Sequence, residues 1–269
     1  MAHGTATTRP AALAGYFYPA DADELRAMVA RFMSPAKSPA AAPKALIVPH
    51  AGYVYSGSVA GKAYELLQDT GTQFRRVVLL GPTHRVYVRG IAAPTAAQFR
   101  TPLGDIVVDS AALNVLRKLP QIRFSDEVHA AEHSLEVQLP FLQRVAPGAT
   151  LVPLAVGDTS PASVAEVIEY FWEDPETLIV ISSDLSHFLR YEQAQRRDSD
   201  TATSIEHCAG EELSSERACG YLPIAGLLSV AKTHGARVER VDLRNSGDTA
   251  GPKDRVVGYG AWAIYGAGQ

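Results

Sequence analysis

Three histidines stand directly after short apolar runs. Ala45 to Val48 leads into Pro49-His50-Ala51-Gly52-Tyr53, and Val77 to Leu80 leads into Gly81-Pro82-Thr83-His84. Leu178 to Ile181 leads into Ser182-Ser183-Asp184-Leu185-Ser186-His187. Imidazole is the commonest metal ligand and the side chain best suited to moving protons near neutral pH. A single loop histidine is more often a hydrogen-bonded structural residue, but three at equivalent positions point to one site. Pro49 and Pro82 stiffen these turns, while Gly52 and Gly81 let the backbone pass close to a bound group. The same residues make ordinary turns, so they add only mild support.

Such convergence depends on the elements that carry the histidines. A continuous apolar run of about four residues bounded by turn residues marks a strand buried on both faces. Ligand sites in open α/β sheets form outside the carboxyl ends of the strands. Parallel neighbours therefore bring His50, His84 and His187 to one rim. Further strands are expected at Val88 to Ala92, Ile106 to Val108, Leu151 to Val156, Arg237 to Leu243 and Val256 to Tyr265. Helices are expected over 21–33, 59–67, 111–118, 132–144, 161–172, 191–207 and 222–230, with Asp21 capping the first. Pro140 should kink or end the helix over 132–144. The alternation predicts one α/β domain spanning residues 1–269, with a central mixed sheet flanked by helices. Ser34 to Pro43, rich in Pro and Ala, reads as a connector too short to separate two domains.

The bulk composition narrows the function classes. The 269 residues carry a formal charge of −4, with 46% hydrophobic and 20% charged residues. That balance fits a folded globular chain with no global attraction to nucleic acid or anionic lipid. No apolar run approaches the roughly 18 residues needed to span a bilayer. Met1 to Pro10 is polar, unlike a secretory signal, and His3 stands alone there. Two cysteines, Cys208 and Cys219, are too few for a disulfide framework, so a reducing, cytoplasmic setting is expected. By residue type alone Cys219 is a buried apolar filler, a metal ligand or a reactive thiol, the first being the commoner fate.

Other chemistries fall away. Ser183, Asp184 and His187 imitate a hydrolytic triad, yet the G-x-S-x-G elbow is missing and triad members normally come from separate segments. Gly258-Tyr259-Gly260 is only a fragment of a dinucleotide fingerprint at the wrong end of the chain. His133, at a helix start between Glu132 and Ser134, either faces a substrate, supports the metal ligands from behind, or pairs with Glu132 or Glu136 on a polar face. His129 and His207 read as solvent-facing, and His234 as a helix-end residue.

Taken in order, these blocks resemble a known family. Pro49-His50-Ala51-Gly52-Tyr53 with Tyr55-Ser56-Gly57, then Leu80-Gly81-Pro82-Thr83-His84, is similar to the Memo family. Ala14-Gly15-Tyr16-Phe17-Tyr18, the Glu132 to Phe141 segment, Ser182 to His187, Cys219-Gly220 and Pro223-Ile224 resemble further blocks of it. The resemblance runs from about Arg9 to Tyr265. Bacterial and archaeal members are often called AmmeMemoRadiSam system protein B, which implies a functional link to a radical-SAM protein. The resemblance also implies the fold of the class III extradiol dioxygenases. It gives His50 and His84 the place of the two histidine ligands, and His187 the place of the acid–base histidine; Asp184, three residues earlier, is expected to orient His187. Cys219 falls where those enzymes carry a carboxylate ligand.

A thiolate there softens the site and leaves an oxidisable atom beside any activated oxygen. The expectation is one transition metal ion per chain, iron or copper ahead of zinc. It serves an oxidoreductase-like pocket for a small molecule or peptide lined by Phe17, Tyr53, Tyr55 and His133. Two rivals stand beside it. One is a non-catalytic binding cleft that also uses Tyr16. The other is a true extradiol dioxygenase in which Asp184 or Glu132 supplies the carboxylate.

Overall fold

The computed structural model describes residues 7–33, 41–68 and 70–267. His3 and most of the Ser34 to Pro43 connector lie outside them. The chain begins with β1 (Thr8–Arg9), α1 (Ala22–Phe32), β2 (Ala45–Val48), α2 (Tyr53–Glu65) and β3 (Arg76–Pro82). A run of short elements follows: β4 (Ile91–Ala93), β5 (Gln98–Thr101), β6 (Gly104–Val107), α3 (Ser110–Leu116) and β7 (Ile122–Phe124). Next come α4 (Asp126–Ala130), α5 (His133–Glu136), α6 (Leu139–Val145), β8 (Thr150–Val156) and α7 (Pro161–Trp172). The last part holds β9 (Thr177–Ser182), β10 (His187–Leu189), α8 (Tyr191–Glu206), α9 (Tyr221–Thr233), β11 (Arg237–Asn245) and β12 (Val256–Tyr265).

The main sheet has nine strands, in the order β10-β12-β2-β9-β3-β8-β4-β7, with β11 also on β12. Its centre, β2-β9-β3-β8, is parallel, and β12 joins β2 antiparallel. The sheet is therefore mixed, and its fully buried parallel strands are the apolar runs seen in the sequence. β1, β5 and β6 form a separate small sheet. β5 and β7, four and three residues long, carry too little alternation to be legible as strands.

Two helical expectations are corrected. The segment 132–144 is two helices, and Pro140 sits in the first turn of α6, where its missing N–H costs nothing. The helix expected from Val59 begins six residues earlier, at Tyr53, with Gly52 before it. His129 is not solvent-facing. It is 1% exposed within α4, its Nε2 is 3.0 Å from the Ala92 carbonyl, and burial pushes its pKa down to about 4.

α7 and α9 pack on each other beside β9, while α1 and α6 pack on α2, which lies along β2 and β12. Close approach of α1 to α2 depends on Gly61: a Cβ there would stand 2.5 Å from the Phe32 backbone oxygen. Alanine is normally worth about 1 kcal/mol over glycine inside a helix. Here the collision is with backbone and should dominate. Gly61→Ala is expected to destabilise the protein by about 1–3 kcal/mol, the range for overpacking, in urea melts. A gain in stability would refute the contact.

Candidate metal centre

The parallel register sets the site. Val48 pairs with Ser182 on β9, and Leu80 on β3 with Ile181. The three strands thus end at one level, and the segments beyond carry His50, His84 and, after β9, Ser182 to His187. The rings of His50 and His84 lie 5.1 Å apart between centroids. His133, at the start of α5, stands 5.3 Å from His50 and 4.5 Å from His84. One donor nitrogen from each of His50, His84 and His133 falls within 4.8 Å of the other two, so this group can hold a metal ion.

Hydrogen bonds behind the rings orient them. The buried Glu132 carboxylate accepts the backbone N–H of His84 at 2.6 Å, its ring Nδ1 at 2.9 Å and the Ser134 N–H at 3.0 Å. Burial pushes this carboxyl up, but those bonds outweigh it and hold the pKa at about 2. A carboxylate on Nδ1 leaves Nε2 of His84 with its lone pair outward, the usual arrangement behind a metal-bound imidazole. His50 Nδ1 lies 3.0 Å from Ser182 Oγ. Burial, and then the neighbouring His84, His133 and His187, push the His50 pKa well below its usual value. Burial and His84 likewise lower His133 to about 4. His133 Nδ1 is 3.3 Å from Glu132 but misaligned for a hydrogen bond, so this buried nitrogen lacks a partner.

Cys219 adjoins the histidine group through His50, with Sγ 3.3 Å from Nε2. Metal–ligand lengths of about 2.3 Å for sulfur and 2.05 Å for nitrogen put two tetrahedral donors about 3.5 Å apart. The pair is thus close to the spacing a shared ion requires, but Cys219 reaches only His50 and falls outside the three-histidine group, whose donors by themselves fit a transition metal. The Cys219 N–H bonds the Asp184 carbonyl at 3.2 Å, and the Gly220 N–H bonds Ser183 Oγ at 2.9 Å. A Cβ at Gly220 would meet Ser183 at 2.7 Å, so only glycine lets the thiol loop close this tightly. Burial, and then the Asp184 carboxylate, push the thiol up to about 12.

Several expected residues take other positions. Asp184 does not orient His187: its Oδ1 accepts the His50 backbone N–H at 2.7 Å, fixing the turn that presents His50. Burial raises its pKa to about 7. Glu132 and Asp184 thus direct their carboxylates to the turns that present His84 and His50. Tyr53 does not line a cleft. It is 3% exposed, packs on Phe141 at 5.1 Å and donates its hydroxyl to the Val137 carbonyl. Gly81 makes its close approach to Ser134, where a Cβ would meet Oγ at 2.9 Å, rather than to a ligand.

Phe17 stands 5.0 Å from the His133 ring; Tyr16, beside it in the chain, and Tyr55, five residues after His50, are exposed. His187 is half-buried on β10, close enough for its charge to bear on His50 and His133. Phe188 beside it is exposed at φ 61°, with Arg255 over its ring at 4.5 Å. Sequence reading gave no role to Ser182, Gln138 or Asp198. Asp198 Oδ1 accepts the Ser186 N–H at 3.0 Å, holding the approach to His187. Nor did it foresee that Arg9 and the fully buried Glu136 pair, with Glu136 accepting the Leu13 N–H at 2.8 Å. That pair anchors the segment bearing Phe17. Both residues lay in polar-looking stretches, so nothing in the local pattern marked them as buried.

A parallel-centred α/β sheet with imidazoles gathered at its carboxyl edge defines a protein with a candidate transition-metal centre. The fold is shared with an uncharacterised Escherichia coli K12 protein, at a TM-score of 0.54 over 82% of this chain and 99% of that one, with 12% identity. The Memo-like protein family model matches residues 9–263. A MEMO1 family protein of Archaeoglobus fulgidus is 38% identical over 92% of this chain and 95% of its own length. One from Aquifex aeolicus is 35% identical over 93% and 97%. The chain belongs to the Memo family.

Proposed function

We propose that this chain is a non-haem metal protein whose centre acts as an oxidoreductase on a small organic substrate. The observation that carries it is the convergence of His50, His84 and His133 donor nitrogens within 4.8 Å, with Cys219 Sγ against His50. In this reading His50, His84 and Cys219 hold one iron or copper ion, and His133 and His187 face the open side. The ion would supply Lewis acidity and one-electron chemistry. His187, a neutral imidazole at neutral pH because burial lowers its pKa, accepts a substrate proton. Phe17 and Tyr55 present apolar faces that orient the substrate and exclude water.

Protein purified anaerobically is expected to contain about one equivalent of iron or copper, removable by chelator. Because burial holds the metal-free thiol at about 12, alkylation is read at raised pH, where Cys219 should label only after metal removal. Cys208 is a workable control: it lies past the end of α8, half-buried, and should label alike in both states. Oxygen uptake with small aromatic substrates tests turnover. Metal without any turnover would favour the binding-cleft reading, to which the exposed Tyr16 also points. Equal Cys219 labelling with and without bound metal would remove the thiolate from the centre.

A further inference from the structure

We propose that Ser182, held by Gln138 and the Ser134 carbonyl, is a positioning residue that locks His50 with its proton on Nδ1 and its Nε2 lone pair on the metal centre. The inference deepens the metal-binding reading and rests on it.

It follows from counting protons through a buried chain of hydrogen bonds. Gln138 lies between α5 and α6 and is 1% exposed. Its Nε2 is 2.9 Å from the Pro49 carbonyl, which can only accept, so the amide nitrogen must face that way. The same nitrogen donates its second hydrogen to Ser182 Oγ at 2.8 Å, and Oε1 accepts from Tyr64 at 3.1 Å. All three contacts agree on one amide orientation, and a flipped amide would set oxygen against oxygen.

Ser182 has one hydrogen to give. Its Oγ is 2.5 Å from the Ser134 carbonyl, another group that can only accept, so the hydroxyl hydrogen lies between them. Only lone pairs then remain on Oγ for His50 Nδ1 at 3.0 Å, and Nδ1 must carry the proton. A neutral ring with hydrogen on Nδ1 has its lone pair on Nε2, the atom facing Cys219 Sγ. His50 and His84 thus reach the same tautomer by different devices, a carboxylate behind one and, behind the other, a hydroxyl of fixed direction together with the Ser182 carbonyl. Two main-chain carbonyls on separate segments set that direction, so the tautomer is built into the fold before any metal arrives.

The test begins with wild-type protein. Metal-free protein, 15N-labelled at histidine, is studied at pH 8 by long-range 1H–15N correlation, with the His50→Ala spectrum used to assign the His50 signals. The expected result is His50 in the Nδ1–H form. Ser182→Ala keeps the Ser182 carbonyl that also accepts from the ring, so it should loosen the Nδ1–H preference rather than reverse it, and weaken Zn(II) binding by about 10- to 100-fold, the usual loss when a partner behind a ligand is removed. Gln138→Met should act in the same direction, more weakly. Wild-type His50 in the Nε2–H form would overturn the proposal without recourse to any variant. So would Ser182→Ala retaining both the tautomer and the affinity. An Nδ1–H ring in a wild-type protein that binds no Zn(II) would instead overturn the metal reading while leaving the tautomer assignment standing.

Discussion

His84→Ala is expected to leave the protein folded and to weaken metal binding by more than about a hundredfold, because residues merely behind a ligand already contribute 10- to 100-fold. His84 lies at the exposed rim of the site, so truncation costs the Nδ1 bond to Glu132 but no core packing, and far-UV circular dichroism should match wild type. His50→Ala should have the same effect on metal. It also removes one bonding partner from Ser182, with a modest cost in stability. Glu132→Gln sets the intermediate case. It keeps an acceptor for His84 Nδ1 but gives up the charge, and should cost about 10- to 100-fold in affinity. Competitive titration of Co(II) or Zn(II) against a chromophoric chelator reads all three. Full affinity in both alanine variants would place the metal elsewhere.

The second large effect is a slope against pH. If Cys219 is a ligand it binds as thiolate, and a thiol with its pKa pushed up to about 12 is almost wholly protonated at neutral pH. Below that value each unit rise in pH increases the thiolate fraction about tenfold, so apparent affinity should rise about tenfold per unit between pH 7.5 and 8.5. His50, His133 and His187, whose pKa values burial lowers, are already neutral in this window and add no slope. Cys219→Ser should therefore lower the affinity and flatten the pH profile together. A flat profile in wild type, unchanged by Cys219→Ser, would give the third position to His133, whose Nδ1 is buried without a partner. Isothermal titration in buffers of different ionisation enthalpy counts the same released proton independently.

Much of this centre was legible in the chain. Ala45 to Val48, Val77 to Leu80 and Leu178 to Ile181 are strands because uninterrupted apolar runs have no stable place except a sheet covered on both faces. Parallel strands end together, so His50, His84 and the segment bearing His187 had to share an edge. Local pattern also placed α1, capped by Asp21, and α7 over 161–172.

The tertiary structure alone decided which groups face the candidate centre and which stand behind it. Asp184 and Glu132 are carboxylates of the same chemistry as iron ligands, yet both point at backbone N–H groups, a choice made by neighbours 134 and 48 residues away. His129 and His133 differ by four positions on adjoining short helices. One is sealed against Ala92, and the other stands among the site histidines. Ser182 and Gln138 gain their roles only because two carbonyls from other segments fix the direction of each proton. Sequence periodicity reports which face of an element is apolar. The direction of a hydrogen bond between distant segments leaves no periodic trace, and it is on those directions that this site depends.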